Sequence, residues 1–422
     1  MRLRMRLPLL ALVAVLALPG AAAADPLRDR QWGLEKVRAP EAWRIARGTG
    51  VVIAVVDSGV DLRHQDLRSR LVAGWDFVDG DDRPQDEEGH GTHVAGIAAA
   101  AAGNGRGIAG VAPGAKIMPV RVLDQDGTGR ASDVARGIRW AVDRGADVIN
   151  LSLGDLGEPL FGPAFAEAIR YAWSRGAIPV VAAGNEYLLM SGYEDEPAIV
   201  VSATDRQDAK PGYSSGVGAA RWGLAAPGGA GGAIGSADRN ILSTYWRRGE
   251  RNAYAYLAGT SMAAPHVSGA AAILRSAGLT PRQTVQRLLA TAKDIGPQGR
   301  DQTFGHGRLD VAAATRGLAR RGGTATTPAG PGPQAPPPAS PGTPAAAGED
   351  PGSGGTSAAP PEPASPSEDD AAAQMPGEAG PRSQADERPQ GNDLMAPFVT
   401  GVVAALLAVL LGWALFRPNP PE

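Results

Sequence analysis

The fold is decided by Val51-Val52-Ile53-Ala54-Val55-Val56, an apolar run that leads directly into Asp57-Ser58-Gly59. The run lacks the alternation of apolar and polar residues that marks a half-exposed strand, so it predicts a strand buried on both faces. Further runs of the same kind are Lys116 to Leu123, Asp147 to Ser152, Ile178 to Ala183 and Ala198 to Ala203. Such strands are typical of a parallel sheet that is covered by helices.

Helical segments separate these predicted strands. They are His93 to Ala102, Ser132 to Arg144 and Phe165 to Arg175, and glycines directly after the last two are typical helix ends. The repeat of strand and helix predicts an α/β domain with a mostly parallel central sheet and helices on both faces. Because ligands bind at the carboxyl ends of strands in such sheets, Asp57 and Asn185, which each follow a predicted strand, are candidate site residues.

Residues 1–24 have the pattern of a secretory signal peptide. Three arginines precede an apolar run from Leu9 to Leu18, and Ala22-Ala23-Ala24 supplies the small residues of a cleavage site. The mature chain is therefore expected to begin at Asp25.

The C-terminal part predicts a tether and a membrane anchor. Residues 321–394 are rich in Pro, Ala, Gly, Ser and acids, so a disordered linker is expected there, and a plain spacer without a partner is the favoured interpretation. Residues 396–416 are apolar and long enough to cross a bilayer as one helix, with a short cytoplasmic tail at 417–422. A buried core helix is the alternative, but the linker separates this segment from any core. A single-pass cell-membrane protein with an extracytoplasmic domain at 25–320 follows.

Composition narrows the remaining possibilities. The chain has no cysteine, so disulfides cannot stabilise its fold, and this absence leaves the redox compartment open. The net charge is -3 and no basic cluster is visible in the sequence, which argues against nucleic acid as a partner. The arginines are scattered among acids and are expected to form a solvated surface.

Three short blocks carry the residue types of nucleophilic acyl transfer. In chain order they contribute Asp57, His90 and Ser261. A hydroxyl needs an imidazole to take its proton, and the imidazole needs a carboxylate to hold its tautomer. His90 is the predicted base, because Gly89 and Gly91 leave room for a crowded backbone. Taken alone, an Asp at the end of a strand is more often a turn residue.

The other histidines compete with His90 as candidate bases. They are His64, His93, His266 and His306. A lone histidine is more often structural, and His93 and His266 are expected to pack or cap within helices.

Ser261 is predicted at the N-terminus of an Ala-rich helix, where unpaired N–H groups and the helix dipole stabilise an oxyanion. A plain N-cap serine is the alternative. Pro265 is expected in the first turn of that helix. Asn185 is the candidate second oxyanion donor, with a simple turn residue as the alternative.

These blocks, their order and Asn185 resemble the subtilisin-like serine proteases, or subtilases. The resemblance implies the three-layer subtilisin-like fold and a serine endopeptidase that hydrolyses peptide bonds in proteins or peptides through an acyl-enzyme, without a catalytic cofactor. It assigns Asp57, His90 and Ser261 as the catalytic triad and Asn185 to the oxyanion hole. It also implies that Ser152, Leu153 and Gly154 form an extended segment that pairs with substrate.

Several motifs are similar to those of the thermitase group of subtilases. They include Gln31-Trp32-Gly33-Leu34, Gly74-Trp75-Asp76-Phe77-Val78 and Val120-Arg121-Val122-Leu123-Asp124. This similarity implies a structural calcium site, whose oxygen ligands suit a hard cation. The implied ligands are the side chains of Asp25, Asp66 and Asn104 and the backbone carbonyls of Ala101, Arg106 and Ile108.

The chain also departs from the family pattern. The loop 186–197 is short and acidic, and Asp155 stands where the family often has glycine, so the residue preferred before the scissile bond is left open. A start at Asp25 leaves no room for a long prodomain. The order of signal, protease, linker and anchor resembles the mycosins, which suggests a secretion apparatus as a partner. A tethered scaffold without activity and a secreted digestive protease are the alternatives.

Overall fold

The computed structural model describes residues 24–153, 162–185, 195–231 and 237–319. The predicted signal peptide apart from Ala24, the linker, the membrane segment, the cytoplasmic tail and Gly154 lie outside these residues. Of the described helices, none combines the length and apolar character that a bilayer crossing requires.

A seven-stranded sheet forms the centre of the domain, with the strand order β2-β3-β1-β4-β5-β6-β7 and parallel pairing throughout. An antiparallel hairpin, β8 with β9, stands apart from it. The strands are β1 (Val52–Asp57), β2 (Trp75–Asp76), β3 (Lys116–Arg121), β4 (Val148–Leu151), β5 (Ile178–Ala182), β6 (Ile199–Thr204), β7 (Trp222–Pro227), β8 (Ile241–Arg247) and β9 (Glu250–Leu257).

Helices cover both faces of this sheet. They are α1 (Trp32–Lys36), α2 (Ala39–Ala42), α3 (His90–Ala99), α4 (Ala131–Asp143), α5 (Pro163–Ser174), α6 (Thr260–Ser276), α7 (Pro281–Ala290) and α8 (Val311–Thr315). Alternate residues of β1 enter different cores: Ile53 and Val55 pack in the core that contains α3 and α6, whereas Ala54 and Val56 pack in the core of α4 and α5. The predicted three-layer α/β fold is confirmed.

The predicted strands and helices agree with the structure to within a few residues at their ends. The largest difference is in α3, which begins at His90 rather than at His93, because Gly89 adopts a left-handed backbone (φ 114°) and starts the helix earlier. The edge strands β2 and β7 and the β8–β9 hairpin were not predicted. Short strands and polar hairpins lack the continuous apolar signal of a central strand.

The expectation for Pro265 is wrong, because this residue lies inside α6 and not in its first turn. A proline has no N–H, so the carbonyl four residues earlier, that of Ser261, loses its helical donor. The Ser152 hydroxyl takes that place and donates to Ser261 O over 2.9 Å. The proline thus frees a carbonyl that joins the start of α6 to the end of β4.

Candidate active site

Asp57 and His90 form a direct pair at the carboxyl end of β1. The Nδ1 atom of His90 lies 2.8 Å from Asp57 Oδ1, and the same oxygen accepts from Ser58 N over 2.8 Å. Asp57 is fully buried, whereas a quarter of the His90 side chain is exposed (25%). With Nδ1 protonated toward Asp57, the Nε2 lone pair of His90 is available as a base.

The pair also sets the charge state of the imidazole. Burial of the ring lowers the pKa of His90, but the Asp57 carboxylate outweighs this and raises the pKa above its ordinary value of 6.5. His90 is therefore protonated at neutral pH more readily than a free histidine.

The glycines on either side of His90 are required by close packing. A Cβ atom on Gly91 would lie 2.1 Å from Gly59 O, and one on Gly89 would lie 2.5 Å from the Tyr245 ring. Either contact would push the start of α3 away from Asp57. This confirms the expectation that the backbone is crowded at the predicted base.

Asp86, which no motif of the sequence marks, holds the start of α3. Its carboxylate is fully buried and accepts from Thr92 N and Thr92 Oγ1 over 2.9 and 2.5 Å. It also accepts from the backbone N–H groups of Glu88 and Gly89 and from the Ser58 hydroxyl, over 3.0, 2.8 and 2.9 Å. Asp86 therefore ties the residue after Asp57 to the turn before His90. In the sequence it begins an acidic run, which gives no sign of its burial.

The competing histidines are engaged in structural contacts. His93 Nε2 lies 3.1 Å from Ile241 O and 3.0 Å from Ala255 O, and burial lowers its pKa to about 3. His266 Nδ1 lies 2.8 Å from Met262 O within its own helix, and burial lowers its pKa to about 4. His64 is buried against Ala253 O, and burial also lowers the pKa of His306. Among the described residues, His90 is the only histidine whose ring nitrogen pairs with a carboxylate, as a base requires.

Ser261 lies at the second position of α6 and contacts the end of β4. Its Oγ donates to Ser152 O over 3.2 Å. The same segment is held from below, because Asn150 Nδ2 donates to Ser152 Oγ over 2.9 Å and Ser268 Oγ donates to Asn150 Oδ1 over 2.7 Å. Since β4 is the parallel neighbour of β1, Ser261 and the Asp57–His90 pair occupy the same edge of the sheet.

No hydrogen bond joins Ser261 to His90 in the part of the chain that the structure describes; the hydroxyl is turned to Ser152 instead. Ser152 and Leu153 are both buried at this edge, and Leu153 packs in the core of α4 and α5. The structure therefore brings Ser152 into contact with Ser261 and places Leu153 in the core.

Asn185 follows β5 and supports the residue before Ser261. Its Oδ1 accepts from Thr260 N over 3.0 Å and from Thr260 Oγ1 over 3.1 Å. The Thr260 hydroxyl also accepts from Gly184 N over 3.1 Å. With the oxygen engaged, the Nδ2 group of Asn185 faces the start of α6 near Gly259, on the side where the Ser261 N–H is unpaired within the helix. Asn185 thus joins the end of β5 to the start of α6 through its side-chain oxygen.

The predicted calcium ligands gather around the loop 101–108. Asp25 accepts from Gly103 N and Asn104 N over 2.7 and 3.0 Å, and Asp66 Oδ2 accepts from Ile108 N over 3.0 Å. Asn104 Oδ1 accepts from Arg106 N over 2.8 Å, and Ala101 N donates to Asp66 O over 3.0 Å.

One oxygen in this set is left without a partner. Asp66 is fully buried, and within the described ranges its Oδ1 has no donor. Two carboxylates and an amide around one loop, with a buried oxygen unsatisfied, are a donor set that fits a hard cation. Across the same ranges, no three side chains of His, Asp and Glu cluster as a metal site, so backbone carbonyls would have to complete the shell.

The chain is similar to known proteins over most of the folded domain. The profile of the Subtilase family matches residues 48–307. Thermitase from Thermoactinomyces vulgaris is 44% identical over 282 residues, which cover 65% of this chain and 93% of thermitase. Subtilisin BL from Lederbergia lenta is 38% identical over 291 residues, which cover 68% of this chain and 98% of that protein.

A solved structure gives the same result at the level of the fold. A protease from Pseudoalteromonas arctica superposes with a TM-score of 0.61 at 33% identity, over 69% of this chain and 98% of its own.

Proposed function

Since the chain belongs to the subtilase family and is a subtilisin-type serine endopeptidase, we propose that Asp57, His90 and Ser261 are its catalytic triad and that it acts outside the membrane on proteins or peptides. The observation that carries the proposal is the 2.8 Å contact between His90 Nδ1 and Asp57 Oδ1, at the same sheet edge as Ser261. No cofactor takes part in the chemistry.

The mechanism begins with a change of partner at Ser261. The hydroxyl gives up Ser152 O and donates to His90 Nε2, a rotation about one side-chain bond. His90 takes the proton as Oγ attacks the scissile carbonyl carbon, and Asp57 stabilises the imidazolium that forms. His90 then donates this proton to the leaving amine, and a water molecule releases the acyl group from Ser261 by the same steps in reverse.

Charge on the former carbonyl oxygen is stabilised at the start of α6. The N–H of Ser261 has no acceptor within the helix, and the helix dipole favours negative charge there. Asn185 Nδ2 supplies the second donor. The hydrogen bond from Ser152 Oγ to Ser261 O joins the residue of the nucleophile to the β4 segment that would pair with substrate. Ser152, Leu153 and Gly154 are proposed to form that substrate-binding segment.

The test uses membranes from cells that produce the full chain. A fluorophosphonate reacts only with an activated serine, so labelling in the membrane pellet is the expected result, together with cleavage of an unfolded protein substrate. An unlabelled chain would contradict the triad, and labelled protein in the medium would contradict the anchor. Support for the anchor comes from the apolar segment 396–416 and the signal pattern at 1–24. A partner in a secretion apparatus stays a prediction from the order of these segments.

We expect separate effects from two changes at Asn185. Asn185→Asp keeps an oxygen for Thr260 but removes the amide donor, so kcat should fall by about 10²–10³, the range known for loss of one oxyanion donor in a subtilisin. KM should change little, because the donor acts on charge that develops in the transition state. Steady-state kinetics on a peptide substrate measures both constants.

The control for this prediction is thermal unfolding. Asn185→Ala also loses the contacts to Thr260 and should unfold at a lower temperature than Asn185→Asp. If Asn185→Asp kept full kcat, its proposed donor role would be wrong.

We further propose that Asp25, Asp66 and Asn104, with the carbonyls of Ala101, Arg106 and Ile108, hold a calcium ion. Support comes from the unpartnered Asp66 Oδ1 and from the oxygen donors around the loop 101–108. The ion would supply no catalytic chemistry. It would stabilise the folded state, because the unfolded chain does not bring these oxygens together.

Calcium is expected to raise the unfolding temperature of the full chain. At a hundredfold excess over Kd a ligand adds about 2.7 kcal/mol, which corresponds to roughly 5–10 °C for a domain of this size. Asp66→Asn should lose this increment in scans with calcium against scans with EDTA. Asp29→Asn, which changes an exposed acid nearby, is the matched control and should keep it. Equal calcium responses in the two variants would rule out Asp66 as a ligand.

A further inference from the structure

A groove rich in arginine opens between the β8–β9 hairpin and three loops, which are the loop after β1, the loop that leads into α3 and the loop 101–108. Its volume is about 980 Å³. Two carboxylates line it, those of Asp61 and Glu250. Its arginines, all exposed, are Arg63, Arg68, Arg83, Arg106, Arg247 and Arg251. The whole chain has a net charge of -3, so this local excess of positive charge does not follow from composition.

Most of this charge is not neutralised within the groove. Arg247 pairs with Glu250 over 2.9 Å. The other arginines of the groove form no ion pair with any carboxylate that the structure describes. Asp61 is buried, and its Oδ1 accepts from the Arg63 N–H in a local turn. An anionic ligand would therefore meet several free guanidinium groups at once, and guanidinium binds carboxylate through two parallel hydrogen bonds.

One end of the groove lies beside the proposed catalytic base. Trp246 lines the groove, and its carbonyl oxygen is only 2.7 Å from the position that a Cβ on Gly89 would take. Gln85 also lines the groove, and its Oε1 accepts from Leu62 N over 3.3 Å. Gly89 directly precedes His90. The groove therefore begins on the His90 side of the sheet edge at which the proposed triad lies.

This position determines which part of a substrate can reach the groove. His90 donates its proton to the leaving amine, so the residues that follow the scissile bond depart on the His90 side. An extended peptide advances about 3.3 Å per residue, so each further residue after the bond extends the substrate along the side where the groove begins. The side chains that the groove contacts are those after the bond, not those before it.

We propose that this arginine groove selects substrates that carry Asp or Glu at the second to fourth positions after the scissile bond. The inference rests on the proposed function, because it names the substrate class of the same site. The arginines are specificity residues and take no part in the chemistry.

The test compares two quenched fluorescent peptides with the same sequence before the scissile bond. One has Glu at the second to fourth positions after the bond, and the other has Gln there. The full-length protein should cleave the acidic peptide with a kcat/KM about five- to tenfold higher at low ionic strength, because several exposed ion pairs add modestly. The ratio should shrink toward one at about 1 M salt, where the Debye length is about 3 Å.

A matched pair of variants separates the groove from charge in general. The double variant Arg63→Glu and Arg83→Glu should lose or invert the preference for the acidic peptide while the Gln peptide is cleaved as before. The double variant Arg221→Glu and Arg282→Glu makes the same charge change outside the groove. Arg221 is exposed directly before β7 and Arg282 is exposed in α7, so this variant should keep the preference.

Three outcomes would overturn the inference. The first is equal cleavage of both peptides by the unaltered protein, which leaves the proposed function intact. The second is an equal change in kcat/KM for both peptides in the groove variant. The third is that the groove variant keeps the preference for the acidic peptide and loses only its binding to phosphatidylglycerol vesicles. If neither peptide were cleaved and Ser261 did not react with a fluorophosphonate, the proposed function would fail with it.

Discussion

Replacement of Ser261 by alanine is expected to lower kcat by about a millionfold, the loss that removal of the nucleophile causes in a subtilisin. Without Oγ there is no atom to form the acyl-enzyme, and the residual rate depends on substrate binding and the oxyanion donors alone. The one hydrogen bond described for the hydroxyl is to Ser152 O, so removal of the hydroxyl should cost the fold little stability. The measurement is hydrolysis of a peptide substrate, with fluorophosphonate labelling in parallel.

A second serine provides the control for this variant. Ser268→Ala removes a hydroxyl from the same helix, one that binds Asn150 Oδ1 and lies below the site. It should keep labelling at Ser261 and most of the activity. Full turnover by Ser261→Ala would end the assignment of the nucleophile.

Replacement of Asp57 by asparagine is expected to lower kcat by about 10⁴, because the amide favours the wrong tautomer of His90. It should also move the pH profile. In the unaltered protein, kcat/KM should rise with pH as His90 loses its proton, with a midpoint above 6.5 because Asp57 raises the pKa of His90. Without the carboxylate the imidazolium is less stable, so the midpoint should move to lower pH.

Asp57→Glu serves as the comparison for the charge. It keeps the carboxylate but lengthens its side chain in a fully buried position, so it should lower activity while the midpoint stays above that of Asp57→Asn. A pH profile with the same midpoint in all three proteins would show that Asp57 does not set the charge state of His90.

The short motifs of the sequence already determined much of the site. Asp57 and His90 stand near Gly59, Gly89 and Gly91, where packing leaves no room for a Cβ, and such constraints leave a trace in the local sequence. The central strands were equally visible, since both of their faces are buried and the whole run must be apolar.

Other parts of the site depend on contacts between residues far apart in the chain. Asp86 lies within an acidic run that suggests a solvated surface, yet it is fully buried and bound by Ser58 and Thr92. Pro265 lies inside a helix, where proline is unfavourable. It is tolerated because the Ser152 hydroxyl donates to the Ser261 carbonyl that the proline leaves without a helical donor. A polar group is stable in the interior when it finds a partner, and the partner can come from any position in the sequence.

The arginine groove shows the same division most clearly. In sequence its arginines are spread from residue 63 to residue 251 among acids, and they predict only a solvated surface. The hairpin and three loops bring them to one face, while the two carboxylates of the groove are buried or paired. Patterns with a short period determine strands, helices and tight turns from the sequence alone, because those depend on neighbouring residues. Electrostatic potential depends on distance in space, so only the tertiary structure decides where charge accumulates.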